Sequence, residues 1–226
     1  MSDTPPEPQP SATIVVVRDG AVGLEVLLLE RATRDPKKSG ASVFPGGRVD
    51  PADLGGGALD DSAYRRAAVR EAHEEAGLIL EPEHLVTLSR WITPELAPKR
   101  FDTWFYLAGV AADTPVTVDG GEIGHHRWLA PAAALTAHDD RVIQLAPPTF
   151  VTVHWLDGIA TTREAHDVLG PAAVPEFRPR ICPRPEGPCM LYPGDAGYDA
   201  HDPDAPGPRH RLWASPGAWR YERDPA

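Results

Sequence analysis

Cysteine is nearly absent from this chain, at two residues in 226. Two thiols cannot make the disulfide framework of a small secreted domain, so reduced cysteines and a cytoplasmic setting are expected. Long apolar runs are missing too. No stretch of about 18 or more apolar residues occurs, which argues against a helical membrane span. The opening MSDTPPEPQP has no basic n-region and no apolar h-region, so no secretory signal is expected there. Basic residues are outnumbered, 22 against 33 acidic ones, for a net charge of -11 at pH 7. Such a chain repels nucleic-acid backbones, and no nucleic-acid partner is expected. An acidic protein still takes an anionic substrate when divalent cations bridge the two. Many carboxylates together with a phosphate-bearing ligand therefore imply a metal.

What is present suits a globular α/β protein. The apolar fraction is 42%, ordinary for a folded domain, and the length allows a sizeable core. The 26 prolines crowd into residues 5–9 and again after Pro171. Residues 1–10 read as a disordered leader, 11–170 as one domain and 171–226 as a Pro-rich extension. Strands are expected at Ile14–Val17 and Leu24–Leu29, a hairpin around Asp19-Gly20, and at Ser42–Phe44. Residues 31–42 read as a basic loop and 50–59 as a flexible excursion rich in Asp and Gly. Further strands are expected at Leu85–Thr93, Asp102–Val110, Val116–Val118 and Arg127–Leu129. Helices are expected near 131–138, 147–157 and 161–169. No internal repeat is visible.

The chemistry points to one helix. Asp60, Asp61 and Ser62 are N-cap candidates, and a run rich in Ala, Arg and Glu leads through Ala76 to Gly77, which suits the residue just past a helix end. Within it lies Arg70-Glu71-Ala72-His73-Glu74-Glu75. At about 100° per residue, Glu74 lies about 60° to one side of Glu71 and Glu75 about 40° to the other. Three carboxylates thus share one face, while Ala68, Val69, Ala72 and Ala76 occupy the adjoining arc. Like charges at this spacing cost stability unless a cation sits between them, and a hard divalent ion such as magnesium suits oxygen ligands. A solvated acidic face explains the helix by itself equally well.

The flanking residues resemble the Nudix signature: Gly, five residues, Glu, seven residues, then Arg-Glu-x-x-Glu-Glu-x-Gly and an apolar residue. Gly47 matches the first glycine, and Arg70, Glu71, Glu74, Glu75, Gly77 and Leu78 match the second half. Asp53 stands where the signature has Glu, and sixteen residues (54–69) separate it from Arg70 instead of seven. A nine-residue insertion around Leu54–Asp61 accounts for the difference. The resemblance implies a Nudix-like α/β/α sandwich with a mixed central sheet (α+β). It implies that Glu71, Glu74, Glu75 and the carbonyl of Gly47 bind magnesium or manganese. It also implies that Arg70 holds one Glu by a bidentate pair. A later loop supplies a further ligand or general base in such proteins, and Glu122 in GGEIGHHRW is the candidate. His125 and His126 beside it are given no role.

The surrounding LLLERATRDPKKSGASVFPGG, Trp91-Ile92-Thr93-Pro94 and Arg100-Phe101-Asp102-Thr103 resemble the coenzyme A diphosphatase-like branch with an insertion inside the Nudix box. That implies cleavage of coenzyme A or acyl-coenzyme A to 3',5'-ADP and (acyl-)4'-phosphopantetheine. Rival substrates are NADH, ADP-ribose and nucleoside triphosphates, and a non-catalytic regulator is the competing class. Arg31, Arg34, Lys37, Lys38 and Arg48 form a basic patch suited to a second phosphate. Arg100 joins the expected substrate contacts, and Phe44, Trp91, Trp104 and Phe105 are candidates to stack adenine, or are simply core.

The extension is expected to wrap the domain, lie loose or pair subunits as a homodimer. Cys182 and Cys189 with His201 and His210 have spacings foreign to zinc motifs, so free thiols are expected.

Overall fold

The computed structural model describes residues 5–32, 40–170 and 173–224. Strand β1 (Gln9–Asp19), β2 (Leu24–Arg31), β3 (Ala41–Val43) and β4 (Gly46–Arg48) come first, followed by helix α1 (Asp61–Ala76). Then come β5 (Val86–Ile92), β6 (Phe101–Val110), β7 (Ile123–Leu129), α2 (Pro131–Asp139), β8 (Gln144–Leu145), α3 (Pro147–Leu156) and α4 (Thr162–Leu169). The chain ends in β9 (Glu176–Phe177), β10 (Arg180–Cys182), β11 (Cys189–Leu191), β12 (His210–Ser215) and β13 (Ala218–Arg223).

The main sheet is mixed, in the order β8-β3-β2-β1-β6-β5-β9, with β4 also on β1 and β7 also on β2. β1 runs parallel to β6 over its length. On its other edge it is shared: its last residues pair antiparallel with β2, from Val17↔Val26 to Asp19↔Leu24. Its start, Ser11 to Thr13, pairs with β4. This splitting brings the glycines of β4 to the middle of the sheet.

Alternation along β1 divides the core. Ala12, Ile14 and Val16 face α1, while Val15 and Val17 face α3 and the C-terminal strands. A strand buried on both faces reads as a continuous apolar run, which Ile14–Val17 and Val26–Leu29 are. Burying each such side chain contributes about 1.5–3 kcal/mol. Asp60 caps α1 by accepting from the Ala63 amide at 2.9 Å. Gly77 ends it in the left-handed conformation, φ 68°, which glycine adopts without a Cβ penalty. The inner face of α1 is Ala63, Ala67, Ala68, Ala72 and Ala76, all at 0% exposure. Side chains this small let the helix sit close on the sheet. Helices thus lie on both faces of a mixed sheet, the α/β/α sandwich implied by the resemblance.

Four expectations are corrected. β1 begins at Gln9, inside the expected leader. Residues 116–118 form no strand: the Thr117 amide donates to the Ala76 carbonyl at the end of α1, and Val116 and Val118 pack on the α1 core. Residues 51–54 are an ordered 3-10 turn, with the Asp50 amide donating to Asp53 Oδ2 at 2.8 Å. The extension is regular structure: β9 joins the main sheet beside β5, and β10 to β13 make an antiparallel sheet. Its Tyr192, Leu212 and Tyr221 belong to the same core as Phe150 and Leu156. Asp195 and Arg211, with side chains 0% and 1% exposed, form a bidentate pair at 2.6 and 2.7 Å that ties the 192–209 connection to β12. Among the described residues no helix is long and apolar enough to cross a membrane.

Candidate active site

Because α1 rests on alanines, its next face lies against β4. The Gly46 amide donates to Glu75 Oε2 at 3.0 Å. A side chain at Gly47 would collide with the Glu71 carboxylate, so glycine permits this approach. The nine extra residues do not separate strand from helix, because the 3-10 turn and the Asp60 cap sit between them.

Arg70 is the hub. Its Nε and Nη2 grip both oxygens of Asp53, Nη2 reaching Oδ2 at 2.9 Å. Its Nη1 bridges Glu71 Oε1 and Glu74 Oε2, each at 2.9 Å. Nη2 also donates to the Arg48 carbonyl. The bidentate partner is therefore Asp53 rather than a glutamate. In the sequence pattern Asp53 matches only as a shortened signature Glu.

The three helix acids are not equivalent. Glu71 and Glu75 line a cleft of about 450 Å³ with Gly46, Gly47, Arg48, Arg31 and Glu122. Glu74 is 56% exposed and lies outside that lining, against Arg70. Burial pushes Glu75 up to about 7, reinforced by Glu71 and opposed by the Gly46 amide. Burial also raises Glu71, with Arg70 opposing. In both, burial outweighs the favourable partners.

Among the described residues, no three or more of His, Cys, Asp and Glu converge as a ready metal cluster, since Glu71 and Glu74 are turned to Arg70. The donor set nonetheless fits a hard divalent cation. It is all oxygen and anionic, with Glu71, Glu75 and Glu122 on one cleft and the Glu71 and Glu75 carboxyls raised by burial, which a cation would offset.

Glu122 stands opposite on the loop before β7. Its carboxylate pairs with Arg31. Asp119 shapes this loop by accepting from the amides of Gly121 (3.2 Å), Glu122 (3.0 Å) and Ile123 (2.9 Å). The Asp-Gly-Gly run carries an Asx-turn signal that sequence reading missed. Hydroxyls of Ser11, Thr13 and Thr103 in the cleft lining were missed as well.

A second cavity, about 420 Å³ and mostly apolar, adjoins the first through Thr13, Arg31, Gly46, Phe101 and Thr103. Phe44, Trp91 and Phe105 line it. Trp104 does not; it packs on Tyr64 at 6.0 Å. Arg31 borders both cavities and Arg48 the acidic one. Arg100 lines neither and donates to the carbonyls of Thr93 and Pro6. Arg34, Lys37 and Lys38 lie outside the described residues.

A mixed-sheet sandwich that sets a glycine strand against an arginine-bridged acidic helix defines the class of site to which the comparisons also lead. Residues 7–147 match the family described as NUDIX domain, and the chain belongs to the Nudix family. It is a Nudix hydrolase. It is 26% identical to the acyl-coenzyme A diphosphatase NUDT19 of Homo sapiens, over 79% of this chain and 73% of that protein. It is 22% identical to the Xenopus laevis protein of the same name, over 92% and 80%. In fold it is similar to the NUDIX hydrolase from Alicyclobacillus acidocaldarius, with a TM-score of 0.64 at 24% identity, covering 76% of this chain and 100% of that one.

Proposed function

We propose that the chain hydrolyses the phosphoanhydride bond of coenzyme A or an acyl-coenzyme A, giving 3',5'-ADP and (acyl-)4'-phosphopantetheine. Magnesium or manganese would be held by Glu71, Glu74, Glu75, Glu122 and the Gly47 carbonyl. The observation that carries this reading is the buried Glu75, fixed by the Gly46 amide and facing the same cleft as Glu71 and Glu122. The names of the relatives favour a coenzyme A thioester over other diphosphates.

Bound there, the cation would polarise phosphoryl oxygens and lower the pKa of water. The chain's own residues do the rest. Glu71 and Glu75 hold their places through Arg70 and Gly46. Glu74, held by Arg70, would have to turn from that guanidinium to join them. Arg31 and Arg48 neutralise phosphate oxygens at the cleft wall, with Arg34 as a further expected contact. Glu122 takes a proton from the attacking water as the new P–O bond forms. The bridging P–O bond breaks, and its electron pair leaves on the departing phosphate.

The test is a side-by-side assay of coenzyme A, an acyl-coenzyme A, NADH, ADP-ribose and dNTPs with magnesium. Release of 3',5'-ADP with (acyl-)4'-phosphopantetheine is expected. Turnover of the others without that pair would overturn the substrate assignment.

A further inference from the structure

We propose that the C-terminal sheet completes a binding chamber for the acyl arm of the substrate, with Ile181 and Met190 as the residues that set the preference for that arm. This deepens the coenzyme A reading above and rests on it.

Ile181 and Met190 are cross-strand partners in the β10–β11 pair. Side chains alternate along strands, so both project from one face, while their neighbours Cys182, Cys189 and Leu191 cluster on the other. The face they share lines the apolar cavity together with Phe44 and Phe105. Ile181 is 41% exposed, a large apolar side chain left partly open to solvent. The wall is fixed in place: Phe177, just before β10, is fully buried and stacks on Trp91 at 3.9 Å. Glu176 pairs with Arg90 at 3.0 Å. The family match ends at residue 147, so Ile181 and Met190 come from a segment beyond it.

Continuity chooses the occupant. The chamber opens into the acidic cleft at Thr13, Gly46 and Arg31, so what enters it is joined to the diphosphate. An acyl arm suits it better than a nucleobase. One broad face of Trp91 is taken by Phe177, Tyr192 meets the ring edge to face at 5.6 Å, and the indole N–H donates to Ser89 Oγ inside the core. Phe44 and Phe105 meet edge to face. What remains is mainly ring edges, prolines and aliphatic side chains beside a few threonines, a mostly apolar lining that matches an aliphatic chain better than the polar edge of a base.

The experiment compares octanoyl-coenzyme A with coenzyme A on the full chain, as wild type, Ile181→Asn and Met190→Ser, with a thermal melt of each. Kinetics with magnesium give the ratio of kcat/KM values. Calorimetry in EDTA gives the ratio of affinities without turnover, and 3',5'-ADP is titrated as well. In wild type, octanoyl-coenzyme A should exceed coenzyme A by about tenfold or more in both ratios, and each substitution should cut that advantage by about tenfold. Ile181 is partly exposed, so its variant keeps the test informative if Met190→Ser melts low. A wild-type ratio near one, or ratios unchanged in both variants, would overturn the proposal while leaving the hydrolase reading intact. Weakening of 3',5'-ADP in Ile181→Asn to the same degree would place the nucleoside in the chamber and overturn it too. If neither thioester nor coenzyme A is cleaved, the substrate reading fails, and the calorimetric ratio alone decides the chamber.

Discussion

The guanidinium of Arg70 and the carboxylate of Asp53 meet across the long insertion, at 2.9 Å, with Asp53 only 4% exposed. The Asp53 carboxylate also accepts from the Asp50 amide, so the 3-10 turn and α1 are fastened to one another at the edge of the cleft. Arg70 is thereby aimed: with two of its nitrogens on Asp53, its Nη1 is left to hold Glu71 and Glu74.

Asp53→Ala should therefore act through Arg70. Loss of a positioning contact next to a metal site typically costs about 10–100-fold in activity. Stability should fall by about 1–3 kcal/mol, since Arg70 keeps its glutamate partners. Steady-state kinetics with a denaturant melt would show both; full activity would remove Asp53 from the site.

Glu75→Gln and Glu74→Gln should each lower kcat by roughly 100-fold or more while the fold remains intact. Magnesium should raise the melting temperature of the wild type and leave a Glu71→Gln/Glu75→Gln double variant unmoved. Equal shifts in both proteins would show that the ion binds elsewhere.

Asp119→Ala should loosen the loop that carries Glu122. The expected result is a fall in kcat of about tenfold with a melting temperature scarcely changed, because Asp119 acts on the loop alone. Unaltered kinetics would mean that Glu122 needs no such support.

Acid should release the C-terminal sheet. Burial pushes Asp195 up, but the Arg211 guanidinium and the His210 and Gly197 amides outweigh it and hold the carboxyl below its ordinary range. A carboxyl depressed in the folded state adds stability above its unfolded pKa and loses it as pH falls through the folded value. Unfolding should thus become easier as pH drops below about 4. Asp195→Asn should abolish that dependence and cost about 3–5 kcal/mol at neutral pH, because it strands a buried Arg211. A variant with the wild-type acid profile would assign the effect to other groups.

Legibility followed the length of each pattern. α1 was readable to its cap and its glycine because sixteen residues carry composition, capping and charge spacing together. β1 and β2 were readable because both faces are buried. The C-terminal strands were not: β9, β10 and β11 are two or three residues long and separated by Pro- and Gly-rich connections, so no period of two could build up. The site divided in the same way. The shared face of Glu71, Glu74 and Glu75 follows from helical geometry, but the turning of Glu74 toward Arg70 depends on where Asp53 leaves that guanidinium.

The amino-acid sequence by itself determined the bounds of the acidic helix, the glycines set before it and the family to which both belong, because these reside in contiguous residues whose spacing is governed by local backbone geometry. Only the tertiary structure decided that Asp53 clamps Arg70, that Glu71 and Glu75 share a cleft with Glu122, and that Ile181 and Met190 stand beside it. Those relations join residues tens of positions apart, and they arise from how close α1 can pack on the sheet and which edge the last strands cover.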